Sequence, residues 1–436
     1  MIQNKISVRE RLSLRVCETD RFKAGFLSAS AVLPIREDAY MTSLLLAVLL
    51  RGSEHYPTVA AINRRLDTLY GTEVTLRNHY LGGLHVIGLC ADVLGADYLP
   101  AGEDAVLDGA LDMMRELLFH PALDENGLLL SHYVESEKRL QCDSIRAQKN
   151  NPHAYAVAKA SEIVYEGTPM CIPILGDEER VMAVTPEALT AHWRSLLSER
   201  ALDCFYVGNT SGARVARALD ETLGAELSSD PRRVCDPLPA RRTPQDLRRG
   251  EETLPVTQGH LVMCYDTDTL VGDRALYAVI LCCELLGGSP VSKLFMNVRE
   301  RLGLCYSCHS TYNAYRGILR VTCGLSNASV EMAEREIEAQ LHAIAKGEVS
   351  DGEWIAAKKS LCNAYRQSED SPVSMERFYF GRSLCGAEQS MDECRRAIEA
   401  VTPKEVYQVA ASMRLDTVFT LRASKEGEEE STDEED

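Results

Sequence analysis

The sequence predicts an α+β fold made of two related halves, each with a mostly antiparallel sheet and helices packed against one face. Its 436 residues are too many for one ordinary core and suit two domains. Strands and hairpins followed by several helices, without regular strand–helix alternation, favour α+β halves over a parallel sheet. Segments that recur in the same order indicate that the halves are related.

Two stretches of the first half recur in the second. Val-Thr-Pro, a helix and then a strand occupy residues 184–207 and again 401–421, and Leu-Leu-Arg-Gly-Ser at 49–53 is matched by Leu-Leu-Gly-Gly-Ser at 285–289. The predicted parts are a first half at 1–227, a linker rich in Pro, Arg and Asp at 228–252, a second half at 253–424, and a disordered acidic tail at 425–436.

Local signals predict the elements of the first half in order. Alternating, β-branched or aromatic residues indicate strands, and Gly and Pro mark the turns between elements. Asp124 is a predicted helix N-cap, and Thr185 followed by Pro186 is another. Strands are predicted at 12–19, 23–33, 73–80, 83–93 and 201–207, and helices at 43–50, 57–70, 103–118, 124–150 and 186–197.

Composition excludes several function classes. A net charge of −18 and a pI near 5.1 argue against nucleic acid or an anionic membrane as the main partner. No apolar run approaches the ~18 residues of a membrane span, and the N-terminus lacks a signal-peptide core, so we expect a soluble, cytoplasmic protein. Fifteen cysteines without a spaced framework are typical of a reducing compartment.

The segment at 40–57 bears most directly on function. Residues Ser43 to Leu50 are apolar after the first residue and end at Gly52, which predicts a helix buried on all sides. Gly-Ser-Glu, Tyr-Pro-Thr and Leu-x-x-Leu-Tyr-Gly follow it. This order resembles the first site segment of the insulinase or pitrilysin-type (M16-like) metallopeptidases.

The resemblance implies that the zinc site is lost. In active members this helix carries His-x-x-Glu-His, two zinc ligands and a general base, and the matching residues here include Ser43, Leu46 and Ala47. The Glu that completes the site in active members corresponds to Ser144, with Asp143 the nearest carboxylate. The chain therefore resembles the non-catalytic bacterial subgroup associated by name with modification of elongation factor P. We expect no metal or cofactor of its own.

The second half resembles the second signature of the family, in which an Arg and a Tyr lie seven residues apart. Arg299 and Tyr306 fit that spacing. In active members this pair faces the zinc across a cavity between the two halves, which form a clamshell. The resemblance implies a non-catalytic subunit of a heterodimeric zinc peptidase, which encloses a peptide substrate and supplies Arg299 and Tyr306 to the zinc site of a partner subunit.

Other interpretations remain open. Arg299 could be a solvated cation at a helix end and Tyr306 an ordinary strand aromatic, leaving a peptide-binding or scaffold protein without any role in catalysis. An autonomous hydrolase with unrecognised ligands would contain bound metal.

Several isolated His and Cys residues offer weaker sites. His132 with Glu135 shares one helix face but has no third ligand at a matching spacing. His79 and His85 flank the hairpin and could approach each other. Cys305-x-x-Cys308 is expected to place its thiols on opposite faces of a strand, which argues against a redox or metal role.

Overall fold

The chain forms two compact units, and each unit includes one segment from the other half of the sequence. The computed structural model describes residues 5–100, 105–227 and 246–424. Of these, unit 1 contains 5–100, 105–146, 172–227 and 370–381, and unit 2 contains 147–171, 246–369 and 382–424.

Regular elements follow the alternation of local sequence signals in both halves. Up to residue 227 they are β1 (Ile6–Arg9), β2 (Leu12–Glu18), β3 (Ala24–Pro34), α1 (Ala39–Leu49), α2 (Val59–Asp67), β4 (Val74–Leu81), β5 (Leu84–Leu94), α3 (Val106–Phe119), α4 (Ser131–Ala147), α5 (Pro152–Val164), α6 (Glu178–Met182), α7 (Pro186–Glu199), β6 (Leu202–Gly208), α8 (Gly212–Glu221) and α9 (Leu223–Glu226).

From residue 246 the elements are β7 (Arg248–Leu254), β8 (Gly259–Asp266), α10 (Leu276–Cys283), β9 (Ser307–Asn313), β10 (Ile318–Leu325), α11 (Val330–Ala345), α12 (Asp351–Ser368), α13 (Pro372–Leu384), α14 (Met391–Ala400), α15 (Pro403–Ser412) and β11 (Arg414–Ala423). Two π-helical segments, at Glu284–Gly288 and Leu294–Arg301, lie between α10 and β9.

The two sheets have the same strand order, which confirms the α+β class and the relation between the halves. Unit 1 has the order β1-β2-β6-β3-β5-β4 and unit 2 the order β7-β11-β8-β10-β9. After β1, each sheet begins with one parallel pair and continues with antiparallel pairs. β4 and β9 are therefore equivalent edge strands.

Alternate residues of β3 separate the two faces of the sheet in unit 1. Leu27, Ala29 and Ala31 belong to the core that α1 and α3 cover. Ser28 and Ser30 point to the opposite face and contact groups of the 370–381 segment and of β4. Both faces of this sheet are thus covered, one by helices of the first half and the other by a helical segment of the second.

The predicted halves are therefore not contiguous in sequence. The division at 1–227 and 253–424 needs correction, because α5 packs its apolar face on the sheet of unit 2 and residues 370–381 pack on the sheet of unit 1. The linker boundary at 252 was also wrong, since β7 begins at Arg248 and pairs with β11. Residues 228–245 of the predicted linker, the first residues of the helix predicted from 103, and the acidic tail lie outside the described residues.

The helix predicted at 124–150 begins later, at Ser131. Asp124 does not cap it; its Oδ1 accepts hydrogen bonds from the backbone N–H groups of Asn126 and Leu128, at 2.9 Å each. Gly127 has φ +73°, so these residues form a tight turn that ends before α4. Among the described helices, none is both long and apolar enough to cross a membrane.

Candidate functional site

The helix α1 has the buried position that the sequence predicts for it. Ser43 and Leu46 are almost fully inaccessible, and Ala47 lines an open cleft. Leu46 also lines a small apolar cavity together with Leu45 and Leu49. Methyl and isobutyl groups cannot coordinate a metal, so two of these three positions offer no donor atom.

Ser43, the third of these positions, is engaged in hydrogen bonds. Its hydroxyl donates to the carbonyl oxygen of Ile174 at 2.7 Å, and Asn78 Nδ2 donates to its Oγ at 2.9 Å. His85 Nε2 lies 2.6 Å from Asn78 Oδ1 and continues the chain of polar contacts. Burial lowers the pKa of His85 to about 4, so the ring is neutral near pH 7. The hydroxyl of Ser43, the side-chain amide of Asn78 and the imidazole of His85 are therefore engaged in polar contacts with one another.

The position expected to complete the zinc site is also without a ligand. Ser144 is exposed on α4, and its hydroxyl donates to the carbonyl oxygen of Leu140 at 2.8 Å. The neighbouring Asp143 is exposed as well and pairs with Arg146 at 3.2 Å. The residues of unit 1 therefore do not fit a zinc ion at the place where the resemblance would put it.

Glu137 is a buried carboxylate that the sequence analysis missed. It lies on α4 two turns before Ser144, is almost fully buried, and forms an ion pair with Arg51. With Ala47 it lines the open cleft of about 360 Å³, whose other lining side chains are mostly apolar. Its spacing from Val134 and Gln141 on the buried face of α4 is the one sequence signal that could have found it.

The histidines that flank the hairpin do not come together. His79 is paired with Val86, and His85 with Tyr80, in the β4–β5 register, so the two imidazoles point to opposite faces of the sheet. His85 faces α1, while His79 lines a second cleft with Arg77 and Glu376. His132 stacks on Tyr133, and Glu135 pairs with Lys138, so His132 and Glu135 each have a partner of their own.

An ion pair holds the 370–381 segment on the sheet of unit 1. Arg77 of β4 donates to both carboxylate oxygens of Glu376, at 2.7 and 2.6 Å, and the Ser28 hydroxyl donates to the same carboxylate at 2.8 Å. The guanidinium also lies 5.1 Å from the ring centroid of Phe380. Because the Arg77–Glu376 ion pair is bidentate and buried, it should hold residues 370–381 firmly on the sheet of unit 1.

Arg299 and Tyr306 lie on the surface of unit 2. Arg299 occupies the last turn of the π-helical segment, 41% exposed, with its guanidinium 4.6 Å from the ring centroid of Phe295. Gly303 has φ +60° and turns the chain towards β9, and just before this strand the backbone N–H of Tyr306 bonds to the carbonyl oxygen of Gly324 at 2.9 Å. The Tyr306 side chain is 72% exposed, and its hydroxyl has no partner among the residues that the structure describes.

Three thiols cluster under this turn, which corrects the expectation for the Cys-x-x-Cys pair. Cys305 precedes the first residue of β9, so strand alternation does not apply to it, and its sulfur meets those of Cys308 and Cys323. Hydrogen bonds from the Cys308 and Cys323 thiols and the charge of Arg299 lower the pKa of Cys305. In the described parts of the chain this is the one group of three or more His, Cys, Asp or Glu side chains spaced to hold a metal.

Known proteins similar to this chain include M16 peptidase homologues. The family described as "Peptidase M16 inactive domain" matches residues 183–361. The chain is 26% identical over 415 residues to "Probable inactive metalloprotease YmfF" of Bacillus subtilis (strain 168), covering 95% of this chain and 96% of that protein. It is 24% identical over 307 residues to the same organism's "Uncharacterized zinc protease YmxG", covering 70% and 72% of the two chains.

Solved structures match over almost the full length. A conserved protein from Enterococcus faecalis V583 superposes with a TM-score of 0.85 at 24% identity, covering 97% of this chain and 98% of that one. A peptidase M16 inactive domain from Pseudomonas fluorescens superposes with a TM-score of 0.79 at 17% identity, with the same coverage. At these identities the likeness is one of fold.

Proposed function

We propose that this chain, which is similar to the family described as "Peptidase M16 inactive domain" and to a relative named as a probable inactive metalloprotease, is the non-catalytic subunit of a heterodimeric zinc peptidase. In this proposal the partner is a zinc-motif-bearing M16-like chain in the cytoplasm. The present chain helps to enclose the peptide substrate and contributes Arg299 and Tyr306 to the partner's site.

The exposed hydroxyl of Tyr306, which has no partner among the described residues, carries this proposal. Amide hydrolysis develops negative charge on the carbonyl oxygen, and a phenol O–H and a guanidinium are suitable donors for that oxygen. Arg299 lies on the same signature turn and keeps part of its guanidinium accessible above Phe295. Neither side chain needs a metal in its own chain to perform this role.

The test is peptide cleavage by the reconstituted heterodimer. Removing one oxyanion donor by Arg299→Ala or Tyr306→Phe should lower kcat by about 10² to 10³, with a smaller effect on KM. Arg301→Ala and Tyr98→Phe are matched controls, because both side chains are exposed and Arg301 ends the same helical segment. Cleavage that is unchanged by both site substitutions would refute the role in catalysis.

A peptide-binding or scaffold role is the alternative that one observation favours. Among the described strands, β4 forms one edge of the sheet in unit 1, and Val74 and Leu76 on it line the cleft with Ala47. An extended peptide can add to such an edge through backbone hydrogen bonds without any metal. This alternative predicts that a Leu76→Lys substitution weakens peptide binding, while Arg299→Ala and Tyr306→Phe leave it unchanged.

A further inference from the structure

The cluster of Cys305, Cys308 and Cys323 has a geometry that ordinary core cysteines lack. Cys308 on β9 lies directly opposite Cys323 on β10 in the antiparallel register. The three sulfur atoms all lie within 4.8 Å of one another. The side chains are 8%, 1% and 1% exposed, so the sulfurs meet in a nearly dry environment.

The backbone around Cys305 holds its sulfur in this position. On one side the N–H of Leu304 bonds to the carbonyl oxygen of Val298 at 3.0 Å, and on the other the N–H of Tyr306 bonds to that of Gly324 at 2.9 Å. Cys305 therefore points inward while Tyr306 points to solvent. The turn thus fixes the sulfur of Cys305, whereas the pairing of β9 with β10 fixes the sulfurs of Cys308 and Cys323.

The spacing is close to that of a thiolate metal site. A metal–sulfur bond of about 2.3 Å places sulfurs roughly 3.8 to 4.0 Å apart in four- or three-coordinate geometry. Closing the observed cluster to that spacing needs side-chain shifts of about 1 Å or less, well within reach of a rotation about one Cα–Cβ bond. Thiolates select soft cations.

We propose that Cys305, Cys308 and Cys323 form a three-sulfur site for a soft, monovalent d¹⁰ cation, Cu⁺. Structural Zn²⁺ almost always takes four ligands, and the described residues offer no fourth His, Cys, Asp or Glu at this spacing. Binding exchanges thiol protons for metal–sulfur bonds without any change of oxidation state, and the released protons pass to solvent. The bound ion would brace the turn that carries Tyr306, independently of the proposed function.

The test uses the full-length, fully reduced chain under anaerobic conditions, titrated with Cu⁺ against a colorimetric Cu⁺ chelator. We expect one tightly bound equivalent with an ultraviolet sulfur-to-copper charge-transfer band. Cys308→Ala or Cys323→Ala should each lower the affinity at least 100-fold. Ala is chosen because it replaces a small buried side chain without adding a polar group. Circular dichroism with thermal unfolding verifies that each variant folds.

The controls and the contrary results are equally specific. Cys204→Ala and Cys282→Ala remove equally buried thiols outside the cluster and should leave Cu⁺ binding unchanged. A second titration with Zn²⁺ should give no stoichiometric site. Cu⁺ binding that survives both cluster substitutions, the absence of a tight equivalent in the wild-type chain, or one equivalent of Zn²⁺ held by these cysteines in preference to Cu⁺ would each overturn the proposal.

Discussion

Unit 1 and unit 2 share a strand order but differ in the chemistry around their equivalent edge strands. In unit 1, α1 presents Leu46 and Ala47 where the resemblance would place the general base and a zinc ligand, and the hydroxyl of Ser43 is bonded within its own unit. In unit 2, Arg299 and Tyr306 stay accessible. The comparison teaches that unit 1 fills the positions of the expected metal site with packed core, while unit 2 leaves an Arg and a Tyr accessible on its surface.

Restoring the metal motif is the severest test of this difference. The triple variant Ser43→His, Leu46→Glu and Ala47→His should lose about 5 kcal/mol of unfolding free energy, because a carboxylate at 46 would lie among apolar side chains. Urea unfolding measures the loss, and Leu46→Met is the volume-conserving control. A triple variant that is as stable as the wild type and binds one equivalent of zinc would show that unit 1 still fits the metal.

The segments that enter each unit from the other half of the sequence are held by different forces. Residues 370–381 are fixed to unit 1 by the Arg77–Glu376 pair, whereas α5 is fixed to unit 2 mainly by apolar packing, with one bond of 2.9 Å from the Tyr155 hydroxyl to Glu252. Glu376→Ala should cost about 3–5 kcal/mol, because it leaves the Arg77 charge buried without a counter-ion. Glu252→Ala should cost about 1.5 kcal/mol.

Two controls sharpen this second prediction, again by urea unfolding. Asp370→Ala breaks only the exposed pair with Arg21 and should change stability by less than about 0.5 kcal/mol. Replacing Arg77 and Glu376 together by Leu should recover most of the loss. If Glu376→Ala is no more costly than Glu252→Ala, the ion pair does not hold the segment.

The sequence predicted what depends on local pattern and missed what depends on distant partners. The burial of α1, the capped helix after Thr185 and the repeat that gives both sheets one strand order are visible in short windows. The partners Arg77 and Glu376 are 299 residues apart, so no periodicity links them. The burial of Glu137 likewise depends on Arg51, which lies in the turn after α1.

The cluster of Cys305, Cys308 and Cys323 is a second feature that local sequence patterns did not predict. Alternation along a strand is a sound rule, but it fails for Cys305 because β9 begins only at Ser307. A shift of two residues in a strand boundary changed the interpretation of the Cys-x-x-Cys pair. Strand ends are the part of a fold that local sequence patterns define least well.

The buried His85 gives unit 1 an acid sensitivity that can be measured. Its pKa is lowered to about 4 by burial, below the value near 6.5 of the unfolded chain, so the unfolded state binds more protons between these values. Above pH 6.5 the His85 ring does not lower the free energy of unfolding. As the pH falls below 6.5, proton binding by the unfolded chain lowers that free energy, by about 3 kcal/mol at pH 4. His85→Gln should flatten this part of the stability profile, whereas the exposed His132→Gln should not.

Unit 2 contains a buried histidine that should show the same acid sensitivity. His260 of unit 2 is likewise buried, and its pKa is lowered to about 4, chiefly by burial. His260→Gln should therefore flatten the same pH window as His85→Gln. An acid slope that neither substitution changes would mean that these rings are protonated without unfolding.

The smallest expected difference concerns the repeated Val-Thr-Pro caps. Thr185 accepts the cap bond from the backbone N–H of Ala188, whereas Thr402 accepts from that of Glu405 and also donates to the carboxylate of the same residue at 2.7 Å. Thr185→Ala should cost about 1 kcal/mol, and Thr402→Ala about 0.5 kcal/mol more, because the latter also breaks the reciprocal capping box with Glu405. Thermal unfolding of both variants, with the Ser substitutions as controls that keep the hydroxyl, measures the difference. Equal losses would mean that the reciprocal bond to Glu405 adds nothing to the simple cap.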